Sequence, residues 1–583
     1  MKRIFIILIF VSLLSSMNSQ AQLKNNGAVL TLTSGSSLVI SGFDYVNQSS
    51  GSSHGDINLS GTIYLDGDWT NNATAGQLLD STASTGTVVF NGSTTQTISG
   101  MESHFYNLSV NSGAAVNVSA GDLVKVYNDF TNNGDFTLKA GSSAIASLID
   151  AGSSSNLLGS GNYKIERYMP SAGWHYVSSP LTKASSTTNV FWGAAVYSYV
   201  ENTNSWQAHY NNEQLDVMKG YDIYYKTASP TISFSGTYNT GNQSIALTKS
   251  NDGYNFVGNP YPCTVDWDAS SGWTKTNVYN GIYIWDATLL SGLGDYMEYV
   301  GGVGNNGGTR YIPPTQAFFV FVPNGYSSGT IGVSNAVKVN KTSVPFRTAN
   351  KGNYIRFKVT EGTLTNSTVL RLHEAASELF DGDFDTYKIF HSNKIVPQLY
   401  TELDAVNYSI NTIGYVQNNT IIPLNYKPGQ SGHHKLEFDL DAFEDALISY
   451  DIILEDTKTG AIVDFKQQKE YSFQAEVGDN EKRFLIHLAQ AGSIKSVDFN
   501  NPTSITETEK SVVSIYASHH EIVFKSNNRI DGQLSIYDVS GKQLFTEWIE
   551  NSAYQTYAIP STGVYLVSFE NNEISSNTKV LIQ

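Results

Sequence analysis

Five stretches of this sequence carry residue types that could do chemistry at their spacing. Gly51-Ser52-Ser53-His54-Gly55 and Gly325-Tyr326-Ser327-Ser328-Gly329 both fit G-x-S-x-G, the pattern that raises a serine nucleophile on a strand–turn–helix elbow. The first lies in a Gly/Ser-rich polar stretch and the second runs into another strand pattern, Thr330–Val333. Neither has the helix the elbow requires, so both read as turns. His373-Glu374-Ala375-Ala376-Ser377 begins like a zinc-binding helix, but its fifth position is Ser, which cannot replace an imidazole nitrogen. Asp381, Asp383 and Asp385 alternate as in a calcium loop, while Thr386 and Ser392 stand where a hand-type loop needs Gly and Glu. A looser structural calcium site stays open there; a turn whose carboxylates cap backbone amides is the better-supported reading. His519-His520-Glu521 leads into a strand, where adjacent side chains point opposite ways and do not chelate one ion. The catalytic, cofactor and metal assignments are therefore none.

Aromatic residues are the remaining chemical resource. Trp174, Trp206, Trp267, Trp273 and Trp285 cluster in one region. Exposed in one plane they would stack on sugar rings; buried they are core. Burial is the favoured expectation, because they sit on or beside strand patterns.

The elements that would position these residues are strands. Charged residues are 15% of 583, apolar residues 40%, and Gly, Ser, Asn, Thr and Tyr are abundant, a balance that suits short strands and tight turns. The length exceeds one core and implies several domains. Residues 22–165 show short alternating runs such as Ala28–Leu32 and Ser37–Ile40, with Asp68-Trp69-Thr70-Asn71-Asn72 echoed by Asp129-Phe130-Thr131-Asn132-Asn133. Repetition of that kind predicts a β-helix or similar solenoid. Residues 166–345 contain a duplication. Gly173–Pro180 (GWHYVSSP) matches Gly253–Pro260 (GYNFVGNP), followed in order by VYSY and IYIW, then by GYDIYY and QAFFVFV. Two related β half-units sharing one core are expected. Residues 346–490 regain charge and alternation and predict an antiparallel β-sandwich, with a hairpin turning at Glu455–Gly460. Residues 491–510 read as a linker and 511–583 as a small β-sandwich. The whole is expected to be all-β and multidomain.

The formal charge of −17 argues against nucleic acid or an anionic membrane as a partner. One cysteine, Cys263, allows no internal disulfide and no Cys-based metal site. Lys2 and Arg3 precede an apolar run from Ile4 to Leu14, and Ser19-Gln20-Ala21 offers small residues for cleavage. That run is too short to span a bilayer, so residues 1–21 read as a signal peptide and the mature chain as secreted.

The last seventy residues supply the address. LSIYDVSGKQL (Leu534–Leu544), IPSTGVYLVSF (Ile559–Phe569) and a terminal KVLIQ (Lys579–Gln583) appear in that order. In Val564–Phe569 both alternating sets are apolar, which predicts a strand between two layers. The three segments resemble the type A C-terminal sorting domain of type IX secretion cargo. The motif positions here are Tyr537, Asp538, Gly541, Gly563, Tyr565 and Lys579. The resemblance implies export across the outer membrane, with the secretion machinery as a partner and surface lipopolysaccharide as a further one. GYNFVGNPYPCTVDWD (Gly253–Asp268) and STVLRLHEAASELFDGDFDTYKI (Ser367–Ile389) also resemble accessory modules of such cargo, without an assigned chemistry. The expectation is a noncatalytic surface or secreted protein in an adhesive or structural role. Its rivals are a carbohydrate-binding protein using the aromatic region and a hydrolase of unrecognised family.

Overall fold

A computed structural model describes residues 22–582, except 74–83, 101, 153–155, 183, 185–189, 192, 228–230, 341–352, 378, 417–418, 441, 444–448, 494–512, 519–520, 540, 560 and 572–574. The expected signal peptide, most of the expected linker, and His519-His520 lie outside the described residues. Contacts divide the chain into two compact units, Met1–Ile494 and Lys495–Gln583. Strand accounts for 59% and helix for 2%, so the protein is all-β.

The first unit begins as a β-solenoid of about five turns. Strands Gln22–Asn26, Asp44–Gln48, Trp69–Asn72, Thr95–Gly100, Ala115–Val118, Asp135–Leu138 and Asn162–Tyr168 stack in parallel as one face. A second face runs from Ser37–Ile40 through Thr87–Phe90 and Asp129–Asn132 to Asn156–Leu158. A short third face holds Glu102–Phe105, Leu123–Val126 and Ser147–Asp150. Alternation within each strand sends one side chain set inward, and the register stacks like on like: Tyr45 on Trp69, Trp69 on Ile98, Val116 on Phe136, Phe136 on Tyr163. Trp69, Phe90, Phe105, Phe130 and Phe136 are fully buried in this column, each a contribution of about 2–3 kcal/mol from burial alone.

The echoed pentapeptides do not stack on one another. Trp69–Asn72 lies on the first face and Asp129–Asn132 on the second. What they share is a corner. The carbonyl oxygens of the Asn71 and Asn132 side chains accept the backbone N–H two residues on, from Ala73 (3.2 Å) and Gly134 (3.1 Å). Their amides donate to a backbone carbonyl of the next coil, Glu102 (2.6 Å) and Asn162 (3.0 Å). Each asparagine turns the chain and ties one coil to the next, satisfying backbone groups that burial would otherwise orphan.

A solenoid's last coil leaves an open strand edge. Here Thr231–Tyr238 pairs antiparallel with Asn162–Tyr168, and Leu181–Thr182 pairs with Thr231–Tyr238 in turn. The edge is closed by chain from beyond residue 165, so that position falls inside a shared sheet.

The duplicated region forms two sheets with one strand order. In the first, Gly173–Val177 pairs with Tyr221–Tyr225, which pairs with Ala195–Val200, which pairs with Ser205–His209. In the second, Tyr254–Gly258, Ala317–Phe321, Ile282–Asp286 and Asp295–Val300 repeat that order, and Val303–Asn305 is added at the edge. The halves cross with a pseudo-two-fold relation. Val177 bridges Gln316 and Val257 bridges Lys219. Ser178 N donates to Thr315 O (2.9 Å) as Gly258 N donates to Met218 O (2.8 Å). Thr315 and Met218 even share the left-handed conformation, φ 64° and 62°. At the crossing the symmetry must break, because a Cβ on Gly258 would stand 2.1 Å from Ser178 Cβ.

Residues 354–490 form one eleven-stranded sheet running from Ala461–Asp464 to Glu470–Ala475, with one parallel pair, Val369 to Leu372 against Ile410 to Ile413. The sandwich-like packing expected here is made by this single sheet folding over one core. Phe438 stacks on Phe465 with centroids 3.9 Å apart, and Phe473 meets Phe484 at 5.0 Å. The hairpin Tyr450–Asp456 to Ala461–Asp464 turns at Gly460, φ 73°. A buried, bidentate Arg483–Asp456 pair (2.9 and 2.7 Å) ties that turn to the neighbouring strand.

The second unit is a five-stranded sheet wound around Glu521–Asp538, a long strand that pairs along both halves with Gln543–Ala558 through register shifts, while its first half also pairs with Val513–Ser518 and its second with Gly563–Glu570. Tyr565, Val567 and Phe569 are buried, but Leu566 on the other side is 45% exposed. The strand therefore has one covered face, not the two expected. Its apolar outer residues face solvent beside Tyr537 and Lys579, not a second layer.

The crossing yields a prediction. Gly258→Ala should lower the urea unfolding free energy by about 1–3 kcal/mol, an overpacking cost. In a Ser178→Gly background, which lacks that Cβ, the same Gly258→Ala change should cost much less; an equal cost in both backgrounds would show that the contact is not the cause.

Candidate functional site

The first half-sheet of the duplicated region presents one face built by strand alternation. Trp174 and Tyr176 point the same way. Their cross-strand partners are Tyr224 and Asp222, and Asp222 is opposite Tyr197 on the next strand. Tyr199 is opposite Trp206 one strand further. Trp174 packs on Tyr224 (4.9 Å) and Tyr197 (5.6 Å); Trp206 packs on Tyr199 (5.4 Å) and Phe256 (5.5 Å). The second half covers part of this face. Phe256 stacks on Phe319 at 4.6 Å, both enclose Tyr176, and the Tyr176 and Tyr296 hydroxyls meet at 2.8 Å. Trp285 Nε1 donates to Trp174 O (3.1 Å).

The five tryptophans therefore divide. Trp267 is core, 1% exposed, with Trp273 packed edge-on against it and Lys275 3.7 Å over its ring. Trp174 and Trp206 remain 40% and 39% exposed at the margin of the covered face. Asp222 lies between them, 8% exposed, and its buried Oδ1 has no hydrogen-bond partner. Burial holds its carboxyl well above the usual range. The aromatic clustering was legible in the sequence. Asp222 was not, because one Asp inside GYDIYY gives no sign of which face it takes.

The other candidates resolve into structure. Ser53 bridges Ser50 within a turn, and Ser328–Val333 is a strand, so neither G-x-S-x-G stretch leads into a helix. His373 Nδ1 accepts Ala375 N (3.2 Å) in a turn. In the acidic loop, Asp381 Oδ1 accepts Asp383 N (2.9 Å), Asp385 Oδ2 accepts Asp381 N (2.8 Å) and Asp385 Oδ1 accepts Thr412 N (2.6 Å). These carboxylates cap backbone amides. Among the described residues, no group of three or more His, Cys, Asp or Glu is placed to hold a metal ion.

Two polar assemblies escaped the sequence reading. A cleft of about 490 Å³ opens between the third solenoid face and Asn335–Asn340, lined by Glu102, Lys125, Tyr127, Asp150 and Lys338 among others. Glu102 pairs with His104, whose Nδ1 takes the Tyr127 hydroxyl (3.0 Å); Asn340 donates to Glu102, and Lys338 pairs with Asp150. The His104 hydrogen bond holds the Glu102 carboxyl below its ordinary range. Its polar groups are occupied with one another, which makes it a seam. Asp295, Glu298 and Lys388 are buried where Asp295–Val300 meets the eleven-stranded sheet. Lys388 donates to Asn366 Oδ1 (2.8 Å), and Asn366 donates to Asp295 Oδ2 (3.2 Å). Burial pushes Glu298 up to about 8, against the pull of the Lys388 ammonium. Two carboxylates converge, but at 4% and 1% exposure they face no cleft.

In the second unit the motif positions separate by role. Tyr537, Leu566 and Lys579 are consecutive cross-strand neighbours and line a groove of about 410 Å³ on the outer face. Asp538 closes the turn: its Oδ1 accepts Lys542 N (3.1 Å) and its carbonyl accepts Gly541 N (3.0 Å), with Gly541 at φ 83°. Gly563 opens the strand Gly563–Glu570, whose Tyr565 is buried on the inner face and donates its hydroxyl to Ser561 O (2.8 Å).

Residues 60–488 match the family described as Domain of unknown function (DUF8693). The chain belongs to that family. The DUF8693 match runs from within the solenoid to the eleven-stranded sheet's Phe484–Gln490 strand, taking in the aromatic face and leaving out the second unit. No curated protein matches the chain. A solved structure of a biofilm associated protein, its BSP domain, is similar over 72% of this chain and 92% of that one, at 8% identity and a TM-score of 0.13. A likeness at that score carries no argument. No helix among the described residues is long and apolar enough to cross a membrane.

Two outcomes follow. Glu298, raised from the ordinary carboxylate value to about 8, favours the fold when protonated, so its contribution is complete below the unfolded pKa and is lost as pH rises through 8. Glu298→Gln should flatten the fall in melting temperature between pH 5 and 8.5, recovering on the order of a few kcal/mol at the alkaline end; unchanged pH dependence would count against it. Excess EDTA should leave the midpoint where it is, whereas a drop of several degrees would reveal a cation in the acidic loop.

Proposed function

We propose that this chain is a noncatalytic exported protein of the cell surface or surroundings, a long β scaffold in an adhesive or structural role, delivered by type IX secretion through its C-terminal unit. The carrying observation is the row Tyr537–Leu566–Lys579. Three neighbouring strands of a self-contained sheet hold these side chains side by side on the outer face, while Tyr565, Val567 and Phe569 serve the core. A module with its own core, and with the motif side chains Tyr537 and Lys579 held on its outer face either side of Leu566, is what a portable export signal needs. The noncatalytic reading is supported by the serine, histidine and aspartate motifs lying in turns and strands that employ them structurally.

Deleting Ser511–Gln583 should leave the protein in the periplasm, and fusing that segment behind a signal peptide to a periplasmic reporter should send the reporter out. Fractionation with immunoblotting reads both. Normal export of the deletion, or a reporter that stays behind, would overturn the proposal.

A further inference from the structure

We infer that the face between Trp174 and Trp206 is a binding site for a neutral glycan chain, with the indoles and Tyr197 and Tyr224 as stacking surface and Asp222 as the polar anchor. Three observations converge on it. Two tryptophans at the margin of an otherwise covered aromatic face are more than a third exposed. Large rings left in water on a sheet that buries Tyr176, Phe256 and Phe319 beside them keep apolar area available to a ligand. The register places Asp222 between the Trp174–Tyr224 pair and the Tyr199–Trp206 pair, about 7 Å along the strands from each. Asp222 is buried with an oxygen that nothing satisfies, an arrangement that costs about 1–3 kcal/mol until a partner supplies the hydrogen bond.

The chemistry selects the ligand class. Sugar rings offer apolar C–H faces to aromatic rings and hydroxyls to carboxyl groups. Asp222, held toward its neutral form by burial, both donates and accepts, and the tyrosine hydroxyls add further donors. The alternation set of this face, Trp174, Tyr176, Tyr197, Tyr199, Trp206, Asp222 and Tyr224, includes no Lys or Arg, so an acidic polysaccharide finds no counter-charge there. The second half-sheet bounds the site on its covered side, through the Tyr176–Tyr296 hydroxyl contact and the Trp285 hydrogen bond to the Trp174 carbonyl.

The test uses the purified full-length chain with cellulose, xylan and chitin in depletion assays, and soluble β-glucan and galactomannan by tryptophan fluorescence. Alginate and tetramethylammonium are the charged comparisons. At least one neutral glycan should bind. Trp174→Ala and Asp222→Leu should each weaken it about ten-fold, about 1.4 kcal/mol, while Asp222→Asn, which keeps a donor and an acceptor, should stay close to the parent. If Asp222→Leu does not fold, the exposed Trp174→Ala and Trp206→Ala decide. No binding to any neutral glycan, binding that survives the tryptophan changes, or preference for alginate or tetramethylammonium would overturn the site. These readouts use purified protein, so they are independent of whether the C-terminal unit directs export.

Discussion

The Arg167 guanidinium holds three parts of the first unit at one point. It sits on the strand that ends the solenoid, donates to the carbonyls of Tyr176 (3.0 Å) and Thr315 (2.5 Å), and reaches the Gln316 side chain (3.0 Å). Tyr176 belongs to the first half-sheet and Gln316 begins the second. Thr315 is the left-handed residue at their crossing, and its carbonyl also receives Ser178 N. Burial lowers Arg167 to about 10, yet at neutral pH it stays charged, because its hydrogen bonds replace the water it lost. Without it each of these carbonyls would keep a single donor, Gln316 Nε2 for Tyr176 (3.2 Å) and Ser178 N for Thr315 (2.9 Å), and the link from the solenoid strand to both half-sheets at this point would be lost. Solenoid cap, pseudo-two-fold crossing and aromatic face thus share one dependency.

Much of this architecture is written locally. Alternation identifies the strands, the repeated polar corners identify a solenoid, and GWHYVSSP with GYNFVGNP identifies two related sheets. What the chain does not state locally is which strand closes which edge. Thr231–Tyr238 completes the solenoid sheet from beyond an intervening half-sheet, a pairing fixed by the open edge it covers. The DWTNN and DFTNN pentapeptides look like the same position in successive coils. They are the same corner on different faces, because Asn71 and Asn132 are selected by backbone groups to be satisfied, not by a coil position. In the second unit, the apolar Leu566 suggested a second layer where there is an outer groove. Alternation reveals a strand's two faces without revealing what covers them.

The site follows the same division. Tryptophan clustering is a property of composition and was readable. The separation into Trp267 as core and Trp174 and Trp206 as margin comes from the crossing of the halves. Asp222, Glu298 and the Glu102–His104–Tyr127 chain belong to no motif and gain meaning only from long-range pairing. The serine and aspartate motifs show the converse: short patterns matched by chance, used as turns or as the start of a strand.

The most direct measurement is hydrogen exchange, by mass spectrometry in mild denaturant, on the parent and on Arg167→Met. If Arg167 joins the three parts, the variant should lose protection together in 162–168, 173–177 and 317–321, with the eleven-stranded sheet at 354–490 much less affected. Loss confined to 162–168, with both half-sheets still protected, would contradict the account and make the arginine a local feature of the solenoid's end.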